Sequence, residues 1–177
     1  MNYRKWIVIT AAFIVAGLIG YQFNASKEAS AVTMEQAPKK NHMAPSFSLK
    51  SMDGGSYQVG GTRDKMLLLN FWASWCGPCK EEAPELKAFY DQNQDRLDVY
   101  AVNSTMSDKQ EDAVAFVKQY GFTFPSFLDP QGKVSDLYSI MAFPTSYLID
   151  QEGIIREVIY GAVDPKELKK QISRWSR

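Results

Sequence analysis

Apolar and polar positions change rhythm several times along the chain, and each change predicts an element. Residues 6–23, WIVITAAFIVAGLIGYQF, are almost continuously apolar and carry no charge. At about 1.5 Å per residue they reach roughly 27 Å, enough to cross a hydrocarbon core. Arg4 and Lys5 precede them, while Lys27 and Glu28 follow. That basic bias predicts residues 1–23 as a membrane anchor, with the N-terminus cytoplasmic and the rest of the chain outside. The competing expectation is a cleaved signal peptide, with Ala29-Ser30-Ala31 as the small-x-small site. That site lies far from the apolar stretch, which is itself long for such a role, so the anchor is preferred. Either way the domain is exported. Residues 24–43 are polar and read as a flexible tether. Residues 44–177 then form one domain.

Within that domain the period is first that of strands. FSLKSMDGGSYQV alternates on both sides of Asp53-Gly54-Gly55, a hairpin signal. Met66 to Trp72 is an apolar run of the kind buried on both faces of a sheet. Ala83, Leu86, Phe89 and Tyr90 mark one face of a helix that follows it. Val99 to Asn103 reads as another strand. Ser107 and Gln110 read as a capping box for a helix ending at Tyr120, where Gly121 stops it. Phe127-Leu128 is extended, Asp129 to Gly132 a turn, and Val134 to Tyr138 a short helix. Thr145 to Ile149 and Ile154 to Tyr160 are strands joined by a turn. Asp164-Pro165-Lys166-Glu167 starts a last helix running to about Trp175. Strands alternating with helices predict an α/β sheet covered on both faces.

Charge narrows little. Lys and Arg number 20, as do Asp and Glu, so no excess points to nucleic acid. The two cysteines change the picture more. Cys76 and Cys79 stand in NFWASWCGPCKEEAPEL with only Gly77 and Pro78 between them. A bridge between them closes a tiny loop and constrains the unfolded chain little, so a structural staple is a poor reading. A zinc site needs about four ligands, and the single histidine, His42, lies far upstream in the predicted tether. A redox pair fits better. A buried strand, a turn and a helix put Cys76 at the helix N-terminus and Cys79 one turn inside, on the same face. Unpaired N–H groups and the helix dipole favour a thiolate at Cys76. The thiolate is the attacking species in disulfide exchange, so Cys76 reads as nucleophile and Cys79 as the resolving thiol.

FWASWCGPCK resembles the active-site motif of thioredoxins. The wider pattern, including GFTFPSFLDPQGKVSDLYSIMAFPTSYLIDQEG, resembles the membrane-anchored extracytoplasmic thiol-disulfide oxidoreductases of the TlpA/ResA type, over roughly residues 45–175. The resemblance implies a thioredoxin-like α/β fold: a central mixed sheet with helices on both faces, an extra N-terminal β-hairpin and a central insertion. It implies a cis-proline at Pro144, with the Phe143 backbone free to pair with substrate. Trp75, Gly77, Pro78, Phe143 and Pro144 would then line the substrate surface. Thioredoxins carry a buried aspartate on the strand before the motif, but here Asn70 occupies that position and cannot titrate. The resemblance assigns the Cys79 proton to Glu82, three residues further along the helix. It implies no cofactor beyond the Cys76–Cys79 disulfide. The partners it implies are disulfides of envelope proteins, such as apocytochromes c or spore-forming enzymes, and a membrane thiol-transfer protein as reductant. A monomer is expected. Three other readings stay open: the same pair as a disulfide-forming oxidase, a non-enzymatic metal carrier on a thioredoxin-like scaffold, and a thiol peroxidase. The carrier would need further soft ligands, and the peroxidase a cysteine in a different context. Gly-Pro between the cysteines matches reducing thioredoxins and tilts the direction toward reductase.

Overall fold

The computed structural model describes residues 35–176. A hairpin of β1 (Phe47–Lys50) and β2 (Ser56–Val59) comes first, with Phe47 opposite Val59 and Lys50 opposite Ser56. Then follow β3 (Met66–Trp72), α1 (Gly77–Asn93), β4 (Leu97–Asn103), a single 3-10 turn at Thr105–Ser107 and α2 (Gln110–Tyr120). The chain continues through β5 (Ser126–Leu128), α3 (Lys133–Leu137), β6 (Thr145–Ile149), β7 (Ile155–Tyr160) and α4 (Pro165–Trp175). The main sheet has the order β5-β4-β3-β6-β7. β3, β4 and β5 are parallel, β6 runs antiparallel to β3, and β7 antiparallel to β6. This is the mixed sheet that the resemblance implies.

β3 is buried along its whole length, and its alternating side chains feed two cores. Met66, Leu68 and Trp72 pack with Ala83, Leu86 and Phe89 of α1, Ala113 and Phe116 of α2, and Leu168 and Ile172 of α4. Leu67, Leu69 and Phe71 pack on the other side with Val134 and Tyr138, next to Val59 and Phe47 of the hairpin. Three helices therefore cover one face, and the short α3 with the hairpin covers the other. Truncating a leucine on either face to alanine costs about 2–5 kcal/mol by the usual cavity rule.

Several expectations need correction. No capping box forms at Ser107. Its hydroxyl donates back to the Ser104 carbonyl at 3.0 Å, and α2 begins after Lys109 with no side-chain cap. The 3-10 turn diverts Ser107 before the helix starts. Gly121 does end α2, in the left-handed conformation at φ 62°. β4 is longer than expected because Leu97 and Asp98 extend its pairing with β3. The stretch read as tether does not stay free up to Met43. The Asn41 N–H donates to the Ile155 carbonyl, Ile155 N–H to His42 and Ala44 N–H to Gly153, at 2.8, 2.9 and 2.9 Å. Lys40 also pairs with Glu157 at 2.8 Å. These residues add main-chain bonds beside edge strand β7, which composition does not signal. Gly153, at φ 83° in the turn between β6 and β7, is required there, because a Cβ would collide with the Gly61 carbonyl.

Among the described residues no helix is long and apolar enough to cross a membrane. The apolar stretch 6–23 and most of the predicted tether lie outside them.

Candidate active site

β3 ends at Trp72, and Ala73 to Trp75 turn the chain into α1. Cys76 is the N-cap residue, with extended φ/ψ of −74° and 118°. Its Sγ accepts the Cys79 N–H at 3.2 Å, so the sulfur does what a capping oxygen does elsewhere. A thiolate at this atom would take the same N–H more strongly and would lie at the positive end of the helix. Pro78 falls in the first turn, where a missing N–H costs nothing. Cys76 and Cys79 are joined as a disulfide with Cα atoms 5.3 Å apart. Cys79 is buried, as expected, but Cys76 is nearly as buried, at 4 % against 2 % exposure. The asymmetry between the thiols thus comes from their place in the helix, not from accessibility in the oxidised state. Gly77 and Pro78 are exposed between them.

Trp75 stands on the rim at 59 % exposure. Its Nε1 donates to the Ser107 carbonyl at 2.8 Å, and its ring meets Phe143 edge-on at 5.8 Å. That contact brings the segment before β6 to the cysteine turn. The Phe143–Pro144 peptide bond is cis. The Pro144 carbonyl accepts the Gly161 N–H at 2.9 Å. Trp72, by contrast, is core and stacks on Phe116 with ring centroids 4.4 Å apart.

A buried polar network joins α1 to β3, β6 and the chain ahead of α4. Cys79 and Glu82, three residues apart, share the buried face of α1. Glu82 is only 4 % exposed. Its Oε1 accepts the Val163 N–H at 2.9 Å, and its Oε2 takes a longer bond from Asn70 Nδ2 at 3.4 Å. Asn70 Nδ2 also donates to Ser146 Oγ at 2.9 Å, since β6 sets Ser146 directly opposite Asn70. Burial pushes the Glu82 carboxyl up from 4.5 to about 7, against the lowering effect of the Val163 and Asn70 hydrogen bonds, and nearby Glu85 adds to the rise. Glu81 and Glu85 are exposed. Glu82 is therefore the carboxylate of this helix that is buried, with its carboxyl raised toward neutrality.

The sequence reading missed Asp108. Its Oδ2 accepts the Ser74 N–H at 2.6 Å and Asn103 Nδ2 at 2.7 Å. Its Oδ1 accepts the Ser74 hydroxyl at 2.6 Å and the Lys109 N–H at 2.8 Å. Burial pushes this carboxyl up, but the Ser74, Asn103 and Lys109 hydrogen bonds outweigh it and hold it below the usual carboxylate range. The signal in the sequence is an acidic residue just ahead of a helix, beside Ser107, whose spacing to Gln110 imitates a capping box. Among the described residues, no three His, Cys, Asp or Glu side chains gather as a metal site would.

A cysteine pair whose first member caps a helix, reached from the central strand of a mixed sheet, with a cis-proline next to the Phe143 that meets Trp75, defines the thioredoxin-like class, whose chemistry is thiol-disulfide exchange. The chain belongs to the AhpC/TSA family, whose model matches residues 41–158. It is similar to the thioredoxin-like protein YneN of Bacillus subtilis, at 32% identity over 96% of this chain and 97% of that one. It is similar too to the thiol-disulfide oxidoreductase ResA of Geobacillus thermodenitrificans, at 31% identity over 73% and 74% of the two chains. The crystal structure of StoA from Bacillus subtilis superposes with a TM-score of 0.64 at 32% identity, covering 72% of this chain and 96% of that one. The protein is a thiol-disulfide oxidoreductase of the ResA/StoA type carrying a Cys76–Cys79 pair.

Proposed function

We propose that the protein works outside the cytoplasm as a reductase of disulfides in other envelope proteins. The observation that carries the mechanism is Glu82, buried one turn beyond Cys79 on the same face of α1, with its carboxyl raised to about 7. In the reduced protein the Cys76 thiolate attacks one sulfur of the substrate disulfide. A mixed disulfide forms and the other substrate sulfur leaves as a thiolate. Glu82 accepts the Cys79 proton, and the Cys79 thiolate attacks Cys76 Sγ. The second substrate thiol is released and Cys76–Cys79 closes, so two electrons pass to the substrate. Phe143 and Trp75 flank the exchange, and the Phe143 backbone, outside every strand of the sheet, is open to an extended substrate segment.

The resemblance extends the reading to apocytochromes c or other envelope and spore proteins as substrates, with a membrane thiol-transfer protein returning the electrons. Residues 1–23 would hold the chain in the cell membrane with this domain outside. Protease accessibility in intact cells and in lysed cells tests that placement. The deciding experiment is the reduction potential of the Cys76–Cys79 pair against glutathione or dithiothreitol. A value near or below about −270 mV supports a reductase, whereas one near about −120 mV makes it an oxidase and overturns the direction. Failure to cycle, with metal bound by the purified protein, would revive the carrier.

A further inference from the structure

The turn that presents Cys76 is held from outside its own helix. Ser74, two residues before the cysteine, gives both its N–H and its hydroxyl to one carboxylate, Asp108. Asn103 at the end of β4 and the Lys109 N–H complete four donors on that carboxylate. Trp75, directly before Cys76, is tied to the same loop through Ser107. The two residues ahead of the nucleophile are thus fastened to the β4–α2 loop, more than thirty positions further along the chain. A neutral acceptor could satisfy some of those donors. An aspartate also places a full negative charge beside the turn.

We propose that Asp108 is a positioning residue for the exchange reaction. It clamps the turn that carries Cys76, and its fixed charge disfavours the Cys76 thiolate, which keeps the pair reducing. The proposal rests on Cys76 being the attacking thiol. A dithiol whose reduced form is stabilised is a stronger oxidant, so a like charge near the thiolate acts in the opposite sense. The other charges around the turn are accounted for. Lys80 of α1 and Asp112 of α2 line the same surface groove as Ser74 and Trp75. Both side chains are exposed and of opposite sign, and the bond of Lys80 to the turn is made by its backbone N–H, to the Cys76 carbonyl at 3.2 Å. Lys109 follows Asp108 with its side chain in solvent. Glu82 lies below, on the buried side of α1. Asp108 is the charge joined to the cysteine turn by two short hydrogen bonds, so it differs from these in its coupling to the turn.

The test compares Asp108→Asn, which removes the charge, with Ser74→Ala, which removes one clamp bond and keeps it. Asp108→Ser, a short neutral acceptor, serves as a second charge-removing variant should the amide fail to fold. For each reduced protein, the alkylation rate is followed against pH, with the modified cysteine identified by peptide mass. The equilibrium with glutathione is measured in parallel. Loss of the charge should lower the Cys76 inflection by a factor of about three to ten in proton affinity. The potential should move the same distance toward oxidising, about 15 to 30 mV at 29.6 mV per tenfold. Ser74→Ala should lower the melting temperature and leave inflection and potential within about twofold of the parent. Equal melting losses in all variants, with inflection and potential unmoved, would make Asp108 a structural tie only and overturn the proposal. Alkylation at Cys79 instead of Cys76 in the parent protein would overturn it differently, by removing the assignment of the nucleophile.

Discussion

Two buried polar networks flank β3, one on each face, and burial pushes the acids of both in the same direction. On the α3 face the Tyr138 hydroxyl donates to the Pro45 carbonyl at 2.7 Å and the Tyr147 hydroxyl to the Tyr138 carbonyl at 2.6 Å. Burial, with Tyr160 adding a little, pushes the Tyr147 phenol up to about 12, and burial holds Tyr138 well above the ordinary phenol range. On the α1 face the same effect takes Glu82 to about 7. A phenol begins near 10, so raising it moves it further from any pH the protein meets. A carboxyl begins near 4.5, so a similar rise carries it into the working range. The tyrosines also donate to fixed backbone carbonyls, and their protons have nowhere useful to go. Glu82 is held by two donors and keeps capacity for a proton of its own. The first network is structural and the second chemical, although both are buried and both are hydrogen-bonded.

Removing the chemistry on the α1 side should have the largest effect. Cys76→Ser is expected to abolish disulfide reduction, and Cys79→Ser should accumulate a mixed disulfide at Cys76, visible on a non-reducing gel. Rapid release of substrate by Cys79→Ser would show that Cys79 does not resolve. Glu82→Gln keeps the shape of the side chain but cannot take a proton. It should slow the resolving step by about a hundredfold, within the usual range for general acid–base catalysis. The pH–rate inflection near 7 should also disappear.

Stability sharpens the same contrast. Between pH 4.5 and about 7 folded Glu82 keeps a proton that the unfolded chain has released. Stability of the oxidised protein should therefore fall as pH rises through that window and level off above it, by about 3 kcal/mol in all. Denaturant titrations at pH 5 and pH 8 measure this, and Glu82→Gln should flatten the difference. Tyr147→Phe leaves the Tyr138 carbonyl without its donor. It should cost about 1–3 kcal/mol, equally at both pH values, because no phenol titrates between them. A pH-dependent loss there would erase the distinction between the two networks. The smallest effect belongs to Asp164, which caps α4 beside Val163 by accepting the Lys166 N–H at 2.8 Å. Asp164→Ala should cost about 1 kcal/mol and leave the pH slope intact, unless the cap also positions the Val163 N–H on Glu82.

Local pattern carried much of the reading. The apolar run Met66 to Trp72 is β3 to the residue, and Gly121 and Asp164-Pro165 stop and start their helices where local rules place them. Cys76 at the head of α1 follows from a strand, a short turn and a helical period, all within a dozen or so neighbouring positions. Asn70 as a hydrogen-bonding amide was legible too. The start of α2 was not, because neither Ser107 nor Asp108 caps it and the helix begins after Lys109 with no side-chain cap. The Asp108 carboxylate is instead engaged by Ser74, 34 residues away.

By itself the sequence determined the order of strands and helices, the redox pair and its place at a helix N-terminus. Those depend on residues close along the chain, where period and capping chemistry act. Only the tertiary structure decided what surrounds the pair. Glu82 is buried because Val163, 81 residues on, closes over it and hands it an N–H. Phe143 meets Trp75 because β6 lies beside β3. Residues near Asn41 are ordered because the edge of β7 offers backbone partners. Desolvation, close approach and main-chain pairing belong to the packed molecule, and no local stretch of side chains encodes them alone.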